Sequence, residues 1–216
     1  MEKENQQRQE IKPVTCHLLP TTYFGPISWY SRLLRTENWE IDDSEFYVKQ
    51  TTRNHCLIAT ANGVQKLTVP VEKPSRSEEG GARIGSLLTR EVRLSDHGKW
   101  RTEHWNAICT AYGESPFFDF YADDLRPFFE RRDWEFLFDY DMAIFEKMLE
   151  LVAPSCLPQK GEEPRNFNVN SPLPFRGGEG GGAPYWQVYQ QRHGFLPDLS
   201  ILDLLCCMGP EAILYL

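Results

Sequence analysis

Nowhere in the 216 residues does an apolar run approach the roughly 20 needed to cross a bilayer. The first eight residues, Met-Glu-Lys-Glu-Asn-Gln-Gln-Arg, offer no apolar signal core. The expectation is a cytoplasmic protein with no membrane partner. Cys-x-x-Cys spacing is also absent. The six cysteines (Cys16, Cys56, Cys109, Cys156, Cys206, Cys207) sit mostly among apolar neighbours, which reads as reduced, buried thiols. The five histidines are scattered, and no His/Cys/carboxylate spacing suits a metal. A Gly-x-Ser-x-Gly elbow is missing, and the glycine run at 177–182 lacks both a Gly-Lys-Ser/Thr ending and an apolar strand before it, which argues against a phosphate loop. Positive charge is scarce: 23 Lys and Arg against 31 Asp and Glu leave a net charge of −8, which repels a polyanion and disfavours nucleic acid as a main partner. A local basic pocket for one phosphate or carboxylate stays open, because near neighbours set its potential.

What is present is material for one core. Hydrophobic residues make up 41% and aromatics 13%, enough bulk to fold without metal or disulfide, and the length fits a single domain. Composition divides the chain into a loose polar tail (1–12), a core (13–152), a flexible Pro/Gly-rich connector (153–184) and a helical segment that completes the core (185–216).

Within the core, residues 14–19 read as a strand that breaks at Pro20, and a helix starts near Pro26 with Ile27, Tyr30, Leu33 and Leu34 on one face. A second strand is expected over 39–49. Alternation on either side of Asn62-Gly63 predicts a β-hairpin whose second arm meets a gap at Pro70. A short strand is expected at Val92 and Leu94, and then helices dominate. One is capped by Ser95 or Asp96 and carries Trp100, His104, Ile108, Ala111 and Tyr112. Another lies around 124–131, and a longer one spans 134–152 with Leu137, Ile144, Phe145, Met148, Leu151 and Val152 inward. The last helix opens with Ser200 and Asp203 as a capping box, carries Ile201, Leu204, Leu205 and Met208, and exits at Gly209. The fold class is α/β: a small mixed sheet, from a strand-helix-strand unit plus the hairpin, covered by helices from the C-terminal half. If the strands flanking the first helix are parallel, ligands favour their carboxyl ends, where Thr21, Thr22 and Tyr23 lie.

Candidate chemistry gathers before the hairpin. Lys49, Arg53, Asn54 and His55 form a cationic, hydrogen-bonding cluster. On a strand through Lys49, Tyr47, Lys49 and Thr51 share a face, where lysine and arginine can hold an anionic group and Asn54 an amide or hydroxyl. The competing reading is a solvated strand end balanced by Asp42, Asp43 and Glu45. His104 is the candidate catalytic residue, although a satisfied core histidine fits the same position. His97 suits either a cap or a contact, and Asp198 and Asp203 suit either acid/base work or helix starts. Tyr23, Lys49, Asn54 and His104 are expected to converge on one pocket for a small anionic or amino-sugar-like ligand. No cofactor is indicated.

Tyr23-Phe24, Tyr47-Val48-Lys49 with Asn54, Leu67-Thr68-Val69-Pro70-Val71, Trp100 with His104 and Tyr112, Pro116-Phe117-Phe118, and the terminal Tyr189, Phe195, Pro197, Leu199, Ser200, Asp203 and Leu204 to Gly209 follow in an order that resembles the WbqC-like protein family over 16–152 and 185–216. The variant with Lys49-Gln50-Thr51, Ser95-Asp96-His97-Gly98 and His193-Gly194-Phe195 is similar to the short form found in Bacteroidetes. The resemblance implies a bacterial protein with relatives encoded in O-antigen clusters, for which glycine transfer to a surface sugar has been suggested. Two departures stand out: Leu19-Pro20-Thr21 replaces the family's His-Gln-Pro, and His55 follows Asn54 where many members carry arginine. The two functional expectations are a group (aminoacyl or glycine-type) transferase in surface polysaccharide biosynthesis, and a non-catalytic small-molecule- or partner-binding protein that keeps the fold.

Overall fold

A computed structural model of the chain describes residues 16–36, 38–73, 84–153 and 184–216. The tail expected over 1–12, nearly all of the connector expected over 153–184, and Cys156 lie outside the described residues.

β1 (His17–Leu19) leads through a tight loop into α1 (Ile27–Arg35), and β2 (Trp39–Ile41) returns parallel to β1, His17 opposite Trp39 and Leu19 opposite Ile41. Parallel pairing requires a crossover, and α1 supplies it. Ile27, Tyr30, Leu33 and Leu34 face inward as their spacing predicts, and Trp29 and Ser31 are buried as well, so α1 is enclosed on more than one side.

The strand expected over 39–49 stops at Ile41. Asp42 accepts both the amide and the hydroxyl of Ser44, a local turn that competes with the ladder. Beyond it Phe46 makes a single bridge to Leu88, and Lys49 enters a turn in which Gln50 has φ of 57°. Tyr47 is buried and Lys49 exposed, so they share no strand face.

β3 (His55–Thr60) and β4 (Gly63–Thr68) form the hairpin. Thr60 pairs with Gly63, which makes Ala61 and Asn62 the two loop residues. Of the Asn-Gly pair, only Gly63 has positive φ, at 105°. β4 ends before Pro70, as a ladder requires of a residue with no N–H. The strand expected at Val92 and Leu94 is reduced to single bridges, Val71 to Leu94 and Arg93 to Phe136.

The helices are α2 (Trp100–Tyr112), α3 (Phe118–Leu125), α4 (Pro127–Glu130), α5 (Leu137–Val152), α6 (Gln190–His193) and α7 (Ile201–Met208). Neither Ser95 nor Asp96 caps α2. The Ser95 carbonyl instead accepts from Trp100 Nε1 at 2.8 Å, and Asp96 faces Arg101. The helix expected at 124–131 is divided at Arg126, where Pro127 starts a new first turn. No helix among the described residues is long and apolar enough to cross a membrane.

α7 is the centre of the molecule. Every residue from Ile201 to Cys207 is buried, so it is enclosed all round rather than along one stripe. Gly209 ends it at φ 55°, and a Cβ there would lie 2.5 Å from the Phe117 ring. The segment entering α7 joins the two strand pairs. Ser200 N–H donates to the Leu57 carbonyl on β3, Ile201 N–H to Gly25, and Ile27 N–H to Leu199. Asp198 Oδ1 accepts from Ser28 N–H at 2.9 Å and so caps α1 from 170 residues away.

Candidate functional site

The loop at the carboxyl end of β1 is built from buried residues: Thr21, Thr22, Tyr23 and Phe24 are all closed to solvent. Phe24 has φ of 42°, a left-handed conformation costly for an aromatic residue and sustained here by its surroundings. Tyr23 N–H donates to the Thr52 carbonyl at 2.9 Å, and Ser200 Oγ donates to the Phe24 carbonyl at 2.7 Å. A Cβ at Gly25 would lie 2.4 Å from Thr22 Oγ1, so the loop also needs glycine at its end.

Tyr23 reaches from this loop to α2, its hydroxyl 2.9 Å from His104 Nδ1. The backbone at Thr68 also acts on the ring, favouring its protonated form. Burial pushes the histidine down to about 4 against the smaller opposing pull of Thr68, so the ring is neutral at pH 7. Trp100 packs edge-on to it with centroids 5.2 Å apart, and Tyr140 stacks on Tyr23 at 5.9 Å. His104 is thus held within the fold beside Tyr23, its Nδ1 engaged with the phenol hydroxyl.

Asn54 is a clamp between the loop and the hairpin. Its Nδ2 donates to the Val69 carbonyl at 3.3 Å, its own carbonyl accepts from Val69 N–H at 2.8 Å, and its Oδ1 has no partner. It stands two residues from Thr52, which holds Tyr23. Lys49 lies in the exposed turn, outside this buried group. Arg53 grips Glu45 through Nε, at 2.7 Å, and through Nη2, and it also reaches Thr51 Oγ1. Desolvation lowers the His55 pKa. Thus Tyr23 and His104 are brought into contact, Asn54 borders them through the backbone, and Lys49 stays at the surface.

Sequence reasoning missed Asp141. On α5 it continues the inward stripe of Leu137, Ile144 and Met148, and it is 1% exposed with neither carboxylate oxygen hydrogen-bonded. Burial raises its pKa well above the usual carboxylate range. The Thr21 hydroxyl and the Arg53 guanidinium pull the other way, and Glu45 adds to the rise. The hydroxyls of Thr21 and Tyr30 are likewise buried without partners, and the carboxylate raises the pKa of Tyr30 and Tyr47 beyond the effect of burial. The signal available in the sequence was one acid on an otherwise apolar helix face.

A second buried acid, Asp203, sits in the first turn of α7 as the spacing predicts, but its carboxylate turns to the Tyr185 hydroxyl and to Gln187 Nε2 at 3.2 Å. The reciprocal arm of a capping box is closed because the Ser200 N–H is given to Leu57, while Ser200 Oγ does cap Leu202 N–H. Asp203 therefore anchors the 185–187 segment. Among the described residues no group of three His, Cys, Asp or Glu side chains is arranged to hold a metal ion.

The arrangement is thus a buried loop with an ion pair at its side and a buried acid, raised in pKa, close to Thr21. No curated protein and no solved structure matches the chain. The family model of the WbqC-like protein family matches residues 21–154, from the Thr21 loop to the end of α5. This span covers more than half of the chain, which belongs to the WbqC-like protein family.

Proposed function

We propose that this protein binds a small polar precursor at the carboxyl end of β1 and acts on it in the cytoplasm as a group transferase of the aminoacyl or glycine type, in the assembly of surface polysaccharide such as O-antigen. The observation that carries the reading is Asp141, a buried carboxylate with both oxygens unpartnered beside Thr21. Buried polar groups in a finished core are hydrogen-bonded, and exceptions concentrate where a ligand completes the set. In this reading Lys49 supplies positive charge at the rim for an anionic part of the donor, Asn54 Oδ1 supplies an acceptor, and Tyr23, held by His104, fixes the loop. The test is turnover: the wild-type chain is incubated with amino sugars and an activated glycine donor, and products are followed by mass spectrometry. Transfer by the wild type and its loss in Asp141→Asn support the reading; binding of the sugars with no transfer from any donor overturns it.

A second reading is a non-catalytic binding protein. It is favoured by His104, a buried imidazole whose Nδ1 is engaged by Tyr23 within the fold, and by the absence of the His-Gln-Pro motif at residues 19–21. Saturable binding without turnover is its signature.

A further inference from the structure

Resting on the small-molecule reading of the same site, we propose that Asp141 is the counter-ion for a primary ammonium group on the ligand, with the Thr21 hydroxyl as a further acceptor.

The argument begins with charge. A fully buried carboxylate is costly unless it is paired or protonated. Among the described residues the cation that acts on Asp141 is Arg53, and that guanidinium is already committed to Glu45 through two nitrogens. Lys49 is exposed in its turn. The fold therefore gives Asp141 no counter-charge of its own, and burial together with nearby Glu45 holds its pKa up. An anionic ligand group would add to the negative field of Glu45, and a neutral hydroxyl brings no counter-charge that lets the carboxyl ionise.

Acceptor count and surroundings select the kind of cation. An ammonium carries three donors in a compact head. Asp141 Oδ1, Asp141 Oδ2 and Thr21 Oγ1 are three buried oxygens without partners, contributed by α5 and the β1–α1 loop. The Tyr30 hydroxyl on α1 is a fourth. A guanidinium would bring five donors to these few acceptors. The groups around the carboxylate are otherwise phenols, Tyr23, Tyr30, Tyr47 and Tyr140, all held neutral by burial and by Asp141 itself. Neutral aromatic rings favour a cation.

The probes are glucosamine, glucose and N-acetylglucosamine, titrated into the full chain and followed by amide NMR shifts and by the 13C resonance of the Asp141 carboxyl. Charge-assisted hydrogen bonding should make glucosamine bind about tenfold or more tightly than the other two. Its binding should move the Asp141 carboxyl to the ionised position, and Asp141→Asn should remove the preference. Equal affinity for all three, or a preference that survives in Asp141→Asn, overturns the ammonium assignment while leaving a sugar site at residues 21–23 in place. Absence of any shift at Thr21, Tyr23 and Asp141 with all three sugars overturns the site itself. Should Asp141→Asn fail to fold, the wild-type carboxyl resonance decides alone: it must move with glucosamine and stay still with glucose.

Discussion

The Tyr23 hydroxyl and His104 Nδ1 are hydrogen-bonded at 2.9 Å, joining the β1–α1 loop to α2 over 81 residues of sequence. Burial keeps the imidazole neutral by lowering its pKa from 6.5 to about 4. An unfolded chain takes up a proton at this histidine below pH 6.5, whereas the folded chain resists until about pH 4. Stability from this group is therefore complete above the unfolded value and is lost as pH falls between the two. The loss is about 3 kcal/mol, the shift converted at 1.36 kcal/mol per pH unit. Urea unfolding of wild type and His104→Gln across this range should show the difference between them shrinking toward low pH. Parallel profiles would sink the assignment.

Asp141 works with the opposite sign. Its folded pKa is raised above the ordinary 3.8, so its stability contribution is complete below that value and is lost as pH rises through the folded pKa. Asp141→Asn should remove that decline and leave the melting temperature at pH 7 equal to or above wild type. A large drop at pH 7 would show that the ionised carboxylate has a partner in the fold.

Lys49→Met keeps most of the aliphatic stem and removes the charge. Because Lys49 is exposed, stability should change by less than about 0.5 kcal/mol, while affinity for an anionic donor falls. Calorimetric binding of the donor by both chains checks it, and unchanged affinity would place the anionic group elsewhere.

The cap on α1 comes from outside the helix, so Asp198→Ala should cost about 1 kcal/mol and loosen the contact between the C-terminal segment and α1. Hydrogen exchange at the Ser28 amide is the local readout. Protection equal to wild type would refute the cap.

Leu204 is fully buried in α7, and Leu204→Ala should cost about 2 to 5 kcal/mol. Gly209→Ala should also destabilise the fold, because its Cβ meets the Phe117 ring and its φ is positive. A chain that kept its thermal transition after either change would show that α7 is not the centre of the core.

Local rules carried much of the fold. Pro26 and the Ile27, Tyr30, Leu33, Leu34 spacing determined α1, alternation determined the hairpin, and Gly209 determined the end of α7. Each is an effect of backbone conformation or of periodicity within a few residues. Tyr23 and His104 were also legible as residues of interest, one on a crossover loop and the other a polar residue on an inward helix face.

What only the tertiary structure decided is how those residues are used. Lys49 leaves the expected strand because Asp42 and Ser44 turn the chain first, and a side chain can win that competition only when no neighbouring strand offers a full ladder. Asp198 caps a helix 170 residues earlier in the chain, and Asp203 turns from its own helix end to Tyr185, because long-range packing brought better partners than local ones. Asp141 is one acid in an apolar stripe when read along the chain. Its meaning depends on Thr21, Tyr30 and Arg53 lying close to it, and burial and charge pairing are properties of the folded neighbourhood that no window of sequence contains.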